Sequence, residues 1–352
     1  MCHGLLLLSA VTLTGALACA QDDAVFRSDV QLVRILATVK DSSGALVGSL
    51  DKNDFEVRDN GAPQQVSVFE RQTDQPLSVA VLIDNSGSTA KDLRFEIDSV
   101  TRFLHALVRE GNPRDAVSLY SFNWEIVKYN GFTRNVSAVE HSLRALKGEA
   151  GTSLYDAILL ASRDIEDRPG RKVLVIVTDG GDTTSHTDFE RATEAAQIAD
   201  AVIYPVLVVP ITNEVGRNIG GENALTTLAR RTGGRVFEPS LGAALDRAFD
   251  QILRDLRTQY LLGYYPRAVP LTKERFHSLE IAVRQPGLQI KARNGYYGET
   301  RQSGASEGSA GEGSVGARSA GPARVESVPG SDSVRPPRPP ATQTNQRRIS
   351  QN

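Results

Sequence analysis

Cysteine is almost missing from this sequence of 352 residues: Cys2 and Cys19 are its two thiols, and both fall within the first twenty positions. A chain shortened by that segment has none, which excludes a disulfide framework and a cysteine-based metal centre. A basic excess is also missing, since 40 Lys and Arg stand against 42 Asp and Glu, a formal net charge of -2. With no positive domain to neutralise phosphates, nucleic acid is excluded as a partner. Beyond the N-terminus no run approaches the about 20 apolar residues of a membrane helix. No GxxxxGK[ST] string occurs, so a P-loop nucleotide site is excluded as well. Of the histidines only His186, after "GGDTTS", stands near other polar chemistry; His105 and His141 fall in helical text, His277 begins a strand, and none is assigned a role. Trp124, in "FNWEIV", is expected to pack in a strand connection rather than meet a ligand.

What is present begins with "MCHGLLLLSAVTLTGALACAQDD", apolar from Leu5 to about Ala18 and then small-x-small at Ala18-Cys19-Ala20. The pattern predicts a signal peptide over 1–20 and a mature chain starting at Gln21, exported to the periplasm, the cell surface or the medium. A competing reading makes Cys19 the anchor of a lipoprotein, although Ala16 stands where that motif usually has a larger aliphatic residue.

Residues 21–76 read as a β-rich domain. "VRILATVKDSSGALV" turns at Ser42-Ser43-Gly44, and Asn60-Gly61 is a hairpin signal between alternating segments. From 77 to 258 the period changes. The runs "LSVAVLID", "AVSLYSFN", "RKVLVIVTD" and "AVIYPVLVV" are separated largely by amphipathic helical text, which predicts a doubly wound, mostly parallel α/β domain covered on both faces. Its last helix places Leu241, Leu245, Phe249, Ile252 and Leu256 on one stripe. In 259–298 a hairpin is expected, with Leu279, Ile281 and Val283 on one strand, a turn at Pro286-Gly287, and Leu288, Ile290 and Ala292 on the return. One hairpin makes no domain, so this segment is expected to complete the N-terminal β unit, with the α/β domain inserted between the two halves. Residues 299–352, rich in Gly, Ser, Ala, Pro and Arg and free of aromatics, are expected to form a disordered tail.

Two strand candidates end in aspartate, "VLIDNSGS" at Asp84 and "VIVTDGGD" at Asp179. Ligands of open α/β sheets lie outside the carboxyl ends of the strands, so both carboxylates are expected in one crevice. "GEAGTSLYDAI" sets Thr152 in a loop before a helix, within reach of the same place. Asp84, Ser86, Ser88, Thr152 and Asp179 then form an all-oxygen cluster suited to a hard cation, Mg²⁺ or Mn²⁺, with Ca²⁺ less suited to a small rigid site.

In this order and context the five residues resemble the metal-ion-dependent adhesion site of von Willebrand factor type A domains. The resemblance implies that Ser86, Ser88 and Thr152 ligate the ion, that Asp84 and Asp179 hold its waters, and that an acidic side chain of a protein partner completes the shell. The flanks, "VKDSSGALVGSLDKNDFEVRDNG" before the domain and "YLLGYYP" and "LQIKARNGYY" after it, resemble an exported group described as acidobacterial type-A-related proteins. The function expected is metal-dependent protein binding, as an adhesion or scaffold module, and not enzymatic. Two alternatives stand beside it. A Mg²⁺-dependent phosphatase or hydrolase would use Asp84 as nucleophile, but Ser86 occupies the position where a second carboxylate would serve as acid and base. A secreted structural module would use the metal only to stabilise its fold. The partner's identity and the oligomeric state are not written in the sequence.

Overall fold

The computed structural model describes residues 32–71, 75–87, 89, 93–208, 218–240, 242–270 and 275–298, all within one compact unit. The expected signal peptide, Cys19, Ser88, Leu241 and the expected tail over 299–352 lie outside the described residues. The chain enters through short alternating strands: β1 (Val33–Lys40), β2 (Phe55–Asp59), β3 (Ala62–Gln64) and β4 (Val68–Glu70). In β2 the alternation is strict, with Phe55, Val57 and Asp59 buried and Glu56 and Arg58 exposed. Asn60 and Gly61 join β2 to β3 with φ of 46° and 80°, the pair of positive values that a two-residue hairpin turn requires.

The α/β domain follows as β5 (Leu77–Asp84), α1 (Leu93–Glu110), β6 (Ala116–Phe122), β7 (Ile126–Lys128), α2 (Val136–Arg144), α3 (Leu154–Glu166), β8 (Arg171–Thr178), α4 (Phe189–Ile198), β9 (Ala201–Leu207), α5 (Ile219–Thr232) and α6 (Ala243–Thr258). Its sheet runs β7-β6-β5-β8-β9, parallel except for the edge strand β7. The period-2 alternation of β5 explains why every residue of the strand is buried. Val79, Val81 and Ile83 pack in the core that contains α1, α2 and α6, whereas Ala80 and Leu82 pack in the core with α3, α4 and α5. Burying a Leu or Ile side chain contributes about 2 kcal/mol, so a charge at Leu82, fully buried between these layers, would disrupt the domain.

After α6 a single residue, Gln259, leads into β10 (Tyr260–Tyr264), followed by β11 (Phe276–Val283), β12 (Gln289–Lys291) and β13 (Gly295–Tyr297). These strands interleave with the N-terminal ones in two four-stranded sheets, β12-β1-β10-β4 and β13-β11-β2-β3, around a shared core of Ile35, Phe55, Val57, Tyr260, Leu262 and their neighbours. The hairpin expected around Pro286-Gly287 does not form. β11 pairs with β2 and β13, and β12 pairs with β1 in the other sheet, so the bend carries the chain from one sheet to the other. Pairing β11 with β12 would have left the backbone groups of β1 and β2 on those edges unmatched. Because β10 lies between β1 and β4, the sheet that holds it needs both flanks of the α/β domain. Asp255 of α6 ties the two parts together: buried, it receives Lys40 of β1 at 3.4 Å and Arg235 at 2.6 Å. No helix among the described residues is long and apolar enough to cross a membrane.

Candidate functional site

Strand order reverses at β5, which has β6 on one side and β8 on the other, so the crevice opens where the carboxyl ends of β5 and β8 lie side by side. Asp84 is the last residue of β5 and is 0 % exposed. One carboxylate oxygen, Oδ1, accepts the Ser86 amide at 2.9 Å; the other, Oδ2, accepts the Thr178 hydroxyl at 2.6 Å. Among the described residues no Lys, Arg or His pairs with it. Burial pushes the Asp84 carboxyl up to about 6; the Thr178 and Ser86 hydrogen bonds oppose the rise, and the charge of Asp179 adds to it. The neighbouring donors therefore satisfy the geometry of the carboxylate without cancelling its charge.

The segment after Asp84 is folded back by Thr89, whose hydroxyl donates to the carbonyls of Asp84 at 2.9 Å and Ser86 at 3.0 Å, and whose carbonyl accepts the Leu93 amide at the start of α1. Asn85 holds the same turn from the other side, donating to the Lys147 carbonyl at 2.7 Å. Ser86 is buried and bridges to Glu149, in the loop that leads to Thr152.

Thr152 is 6 % exposed, two residues before α3. Gly151 before it has a φ of 83°, and a Cβ there would come within 2.9 Å of Trp124 Cβ, so glycine is required at that turn. The Thr152 amide donates to Thr183 Oγ1 at 3.0 Å, and its carbonyl accepts the amides of Thr183 at 2.8 Å and Thr184 at 3.2 Å. Its hydroxyl makes no hydrogen bond among the described residues. Asp179, half-buried just past β8, likewise engages no donor among them, and its charge reaches Asp84.

Of the five sequence-selected residues, Asp84 and Ser86 are thus bonded to each other, Asp179 stands on the adjacent strand end, and Thr152 is fixed to the loop that follows Asp179. Ser88 lies outside the described residues. Among the described residues no three His, Cys, Asp or Glu side chains converge on a metal position, so a cation here would depend on hydroxyl oxygens as well as on the two aspartates. The donor chemistry fits a hard cation, which takes oxygen ligands of both kinds.

Residues 79–181, from the third residue of β5 to the loop after β8, match the von Willebrand factor type A domain family. The chain carries a type A domain. Proteins of Mycobacterium bovis and Mycobacterium tuberculosis, described only as uncharacterized, are 26 % identical to it over 201 residues, which is 52 % of this chain and 29 % of theirs. The chain therefore spans less than a third of the length of the curated relatives it matches. Among solved structures, the vWF domain of the type V pili tip protein Mfa5 from Porphyromonas gingivalis is 15 % identical, covering 51 % of this chain and 94 % of that one at a TM-score of 0.44. An aerotolerance-related membrane protein from Bacteroides fragilis is 18 % identical, covering 51 % and 98 % at a TM-score of 0.40.

The type A domain also uses residues that the sequence reading passed over. Thr178 is the direct partner of Asp84. The string "DTTS" after Gly181 laces the loop to α3: Asp182 accepts the Tyr155 amide at 3.3 Å, Ser153 and Thr184 share a 2.8 Å hydroxyl contact, and the Asp156 amide donates to Ser185 at 3.1 Å. A run of small hydroxyl residues a few positions after a strand-end aspartate was the available signal. Trp124 is not packed away as expected. It is 61 % exposed on the loop between β6 and β7, where its amide donates to the Ala150 carbonyl at 3.2 Å. His186 is almost fully exposed; its ring nitrogen Nδ1 stands 3.5 Å from Asp156.

Proposed function

We propose that the type A domain binds a protein partner through a divalent cation, Mg²⁺ or Mn²⁺, held by Asp84, Ser86, Ser88, Thr152 and Asp179. The observation that carries this reading is the buried Asp84 carboxylate, which has hydroxyl and amide donors, no cationic side chain among the described residues, and a second aspartate beside it. Two negative charges in a low-dielectric crevice repel unless a cation lies between them. The Thr152 hydroxyl and the Asp179 carboxylate, which engage no donor among the described residues, are groups available to hold one. A cation bound by neutral hydroxyls keeps enough charge to accept a carboxylate from a partner. Asp84, anchored by Thr178, fixes the position of Ser86; the 182–185 loop fixes Thr152. We place this activity outside the cytoplasm, as an adhesion or scaffold module and not an enzyme, on the strength of the N-terminal segment.

The test is direct. Titration calorimetry with Mn²⁺ is expected to show one site in the full chain, weakened about 10- to 100-fold in Thr152→Ala. Capture of partners from the envelope of the producing cell is expected with Mn²⁺ and lost on chelation. Equal capture by wild type, by Thr152→Ala and by chelated protein would refute the reading and move the binding surface elsewhere.

A further inference from the structure

The amino ends of the same strands form a second polar site, on the side of the sheet that meets the β sandwich. Arg34 and Leu36 of β1, Leu261 of β10, and Arg293 between β12 and β13 face Arg171, the first residue of β8, and Asp200, which precedes β9. Three arginines against one aspartate give this cleft a formal charge of +2, in a chain whose total is -2.

Arg293 is the group whose bonding is incomplete. The residue is 8 % exposed. Its guanidinium donates through Nη1 to the Asp200 carboxylate and through Nη2 to the Arg34 carbonyl at 2.5 Å, but its Nε has no hydrogen-bond partner among the described residues. A buried, charged N–H without an acceptor is rare in native structures and costly. The aspartate is also divided between two arginines, since Arg34 reaches it only at 3.5 Å, the outer limit of a hydrogen bond. Two other polar neighbours donate elsewhere. Thr232 donates to the Leu228 and Ala229 carbonyls, and Gln197 to the Arg231 carbonyl. Nearby Lys172, whose ammonium donates to the Glu166 carbonyl, is held below its usual range by burial, with the Arg34 charge adding to that and the Asp200 charge opposing it.

The cleft has a free volume of about 30 Å³. A water needs about 10–15 Å³ on this measure, so the space admits the few oxygens of one small group and not a nucleotide or a length of peptide. Leu36 and Leu261 line it with apolar surface, which strengthens charge attraction there.

We infer that this cleft is a binding site for a small oxyanion, a phosphate or carboxylate group, held by Arg34 and Arg293. Such an ion supplies the acceptor that Arg293 Nε lacks and offsets the excess positive charge. It also bridges the sandwich, through Arg34 and Arg293, to the cationic Arg171 at the end of the sheet. Asp200 competes for the same arginines. It holds a φ of 55°, a conformation that Asn adopts as readily as Asp, so Asp200→Asn removes the competing charge and keeps the backbone.

The experiment uses the full chain in EDTA, so that its outcome is independent of any metal at the other end of the sheet. Inorganic phosphate and acetate are titrated separately at ionic strength held constant with chloride, followed by calorimetry and thermal unfolding. Saturable binding with a rise in Tm is expected for at least one of them, and which one binds tells phosphoryl from carboxylate ligands. Arg34→Gln, at a residue whose side chain is 41 % exposed and which therefore folds, is expected to weaken binding about tenfold. Asp200→Asn is expected to tighten it and to enlarge the rise in Tm. The proposal is overturned if neither anion acts beyond chloride, or if Arg34→Gln and Asp200→Asn bind as wild type does.

Discussion

At the carboxyl edge of the central sheet a buried aspartate is surrounded by hydroxyls and amides and has a second aspartate for a neighbour. At the amino edge, about 25 Å away along an eight-residue strand, three arginines surround one aspartate. Both edges bury charge at the ends of the same parallel strands, yet they offset it differently. Hydroxyl donors leave the charge of Asp84 in place, whereas Asp200 cancels part of the charge of the arginines. The carboxyl edge is built of loops from the type A domain alone. The amino edge is roofed by the sandwich, and two of its arginines, Arg34 and Arg293, come from the sandwich side. Residual charge of opposite sign is the basis on which we propose a cation at one edge and an anion at the other.

The largest expected effect is at Asp84. Asp84→Ala removes the carboxylate that anchors Ser86 and meets Thr178, and Mn²⁺ affinity is expected to fall at least about hundredfold by calorimetry. In EDTA the sign reverses: Asp84→Asn, which relieves an uncompensated buried charge, is expected to raise Tm. A lower Tm for Asp84→Asn without metal would show that protein groups already neutralise this carboxylate, and the contrast between the two edges would collapse.

pH separates the same alternatives. Burial pushes the folded Asp84 carboxyl up to about 6, above its ordinary range near 4, so between these values the folded chain binds more protons than the unfolded one. For a raised carboxyl, stability without metal is then greatest at the acid end of this window and declines as pH rises towards 6, by at most about 3 kcal/mol. Denaturant titrations of wild type and Asp84→Asn at pH 4.5 and 7.5 are expected to show an advantage of the variant that is about threefold larger at the higher pH. An advantage of equal size at both would assign it to something other than this titration.

At the amino edge the expected losses are smaller and purely structural. Arg293→Ala deprives Asp200 of its nearer partner and the Arg34 carbonyl of its donor, and is expected to cost about 2 kcal/mol in urea unfolding. Arg34→Ala, at the exposed mouth with a 3.5 Å contact, is expected to cost less than about 1 kcal/mol. Equal losses would mean that the two arginines share Asp200 evenly, against the geometry.

The two edges were not equally legible in the sequence. Asp84, Ser86 and Asp179 follow strand ends within short strings, and strand ends of an α/β sheet announce themselves by apolar runs that stop. Thr178, inside the run, gave no such sign, and the role of Thr183 depends on a contact with a loop 31 residues away. The arginine cleft draws on residues 34, 171, 200 and 293, which meet only because both flanks close one sandwich against the sheet. The same non-local pairing defeated the expected hairpin: alternation in β11 and β12 showed which residues turn inward but not which strands they would join. Exposure of Trp124 was hidden for a related reason, since a lone tryptophan beside a strand has no local feature that tells packing from display.

The smallest expected effect tests how the carboxyl edge is held in shape. Thr183 reaches no carboxylate and stands on the exposed side of its loop, but its hydroxyl accepts the Thr152 amide at 3.0 Å, while its own amide donates back to the Thr152 carbonyl at 2.8 Å. This two-way clasp fixes the backbone of Thr152, and with it the direction of a hydroxyl that no other group among the described residues engages. Thr183→Val keeps the shape and the amide bond but withdraws the acceptor. The Thr152 amide then has to find water, at a cost of about 1 kcal/mol, and Mn²⁺ affinity is expected to fall severalfold with little change in Tm. Thr183→Ser restores the acceptor and is expected to restore the affinity. If Val and Ser variants bind Mn²⁺ alike, the clasp serves only the fold, and the position of Thr152 is set by Gly151 and the start of α3 instead.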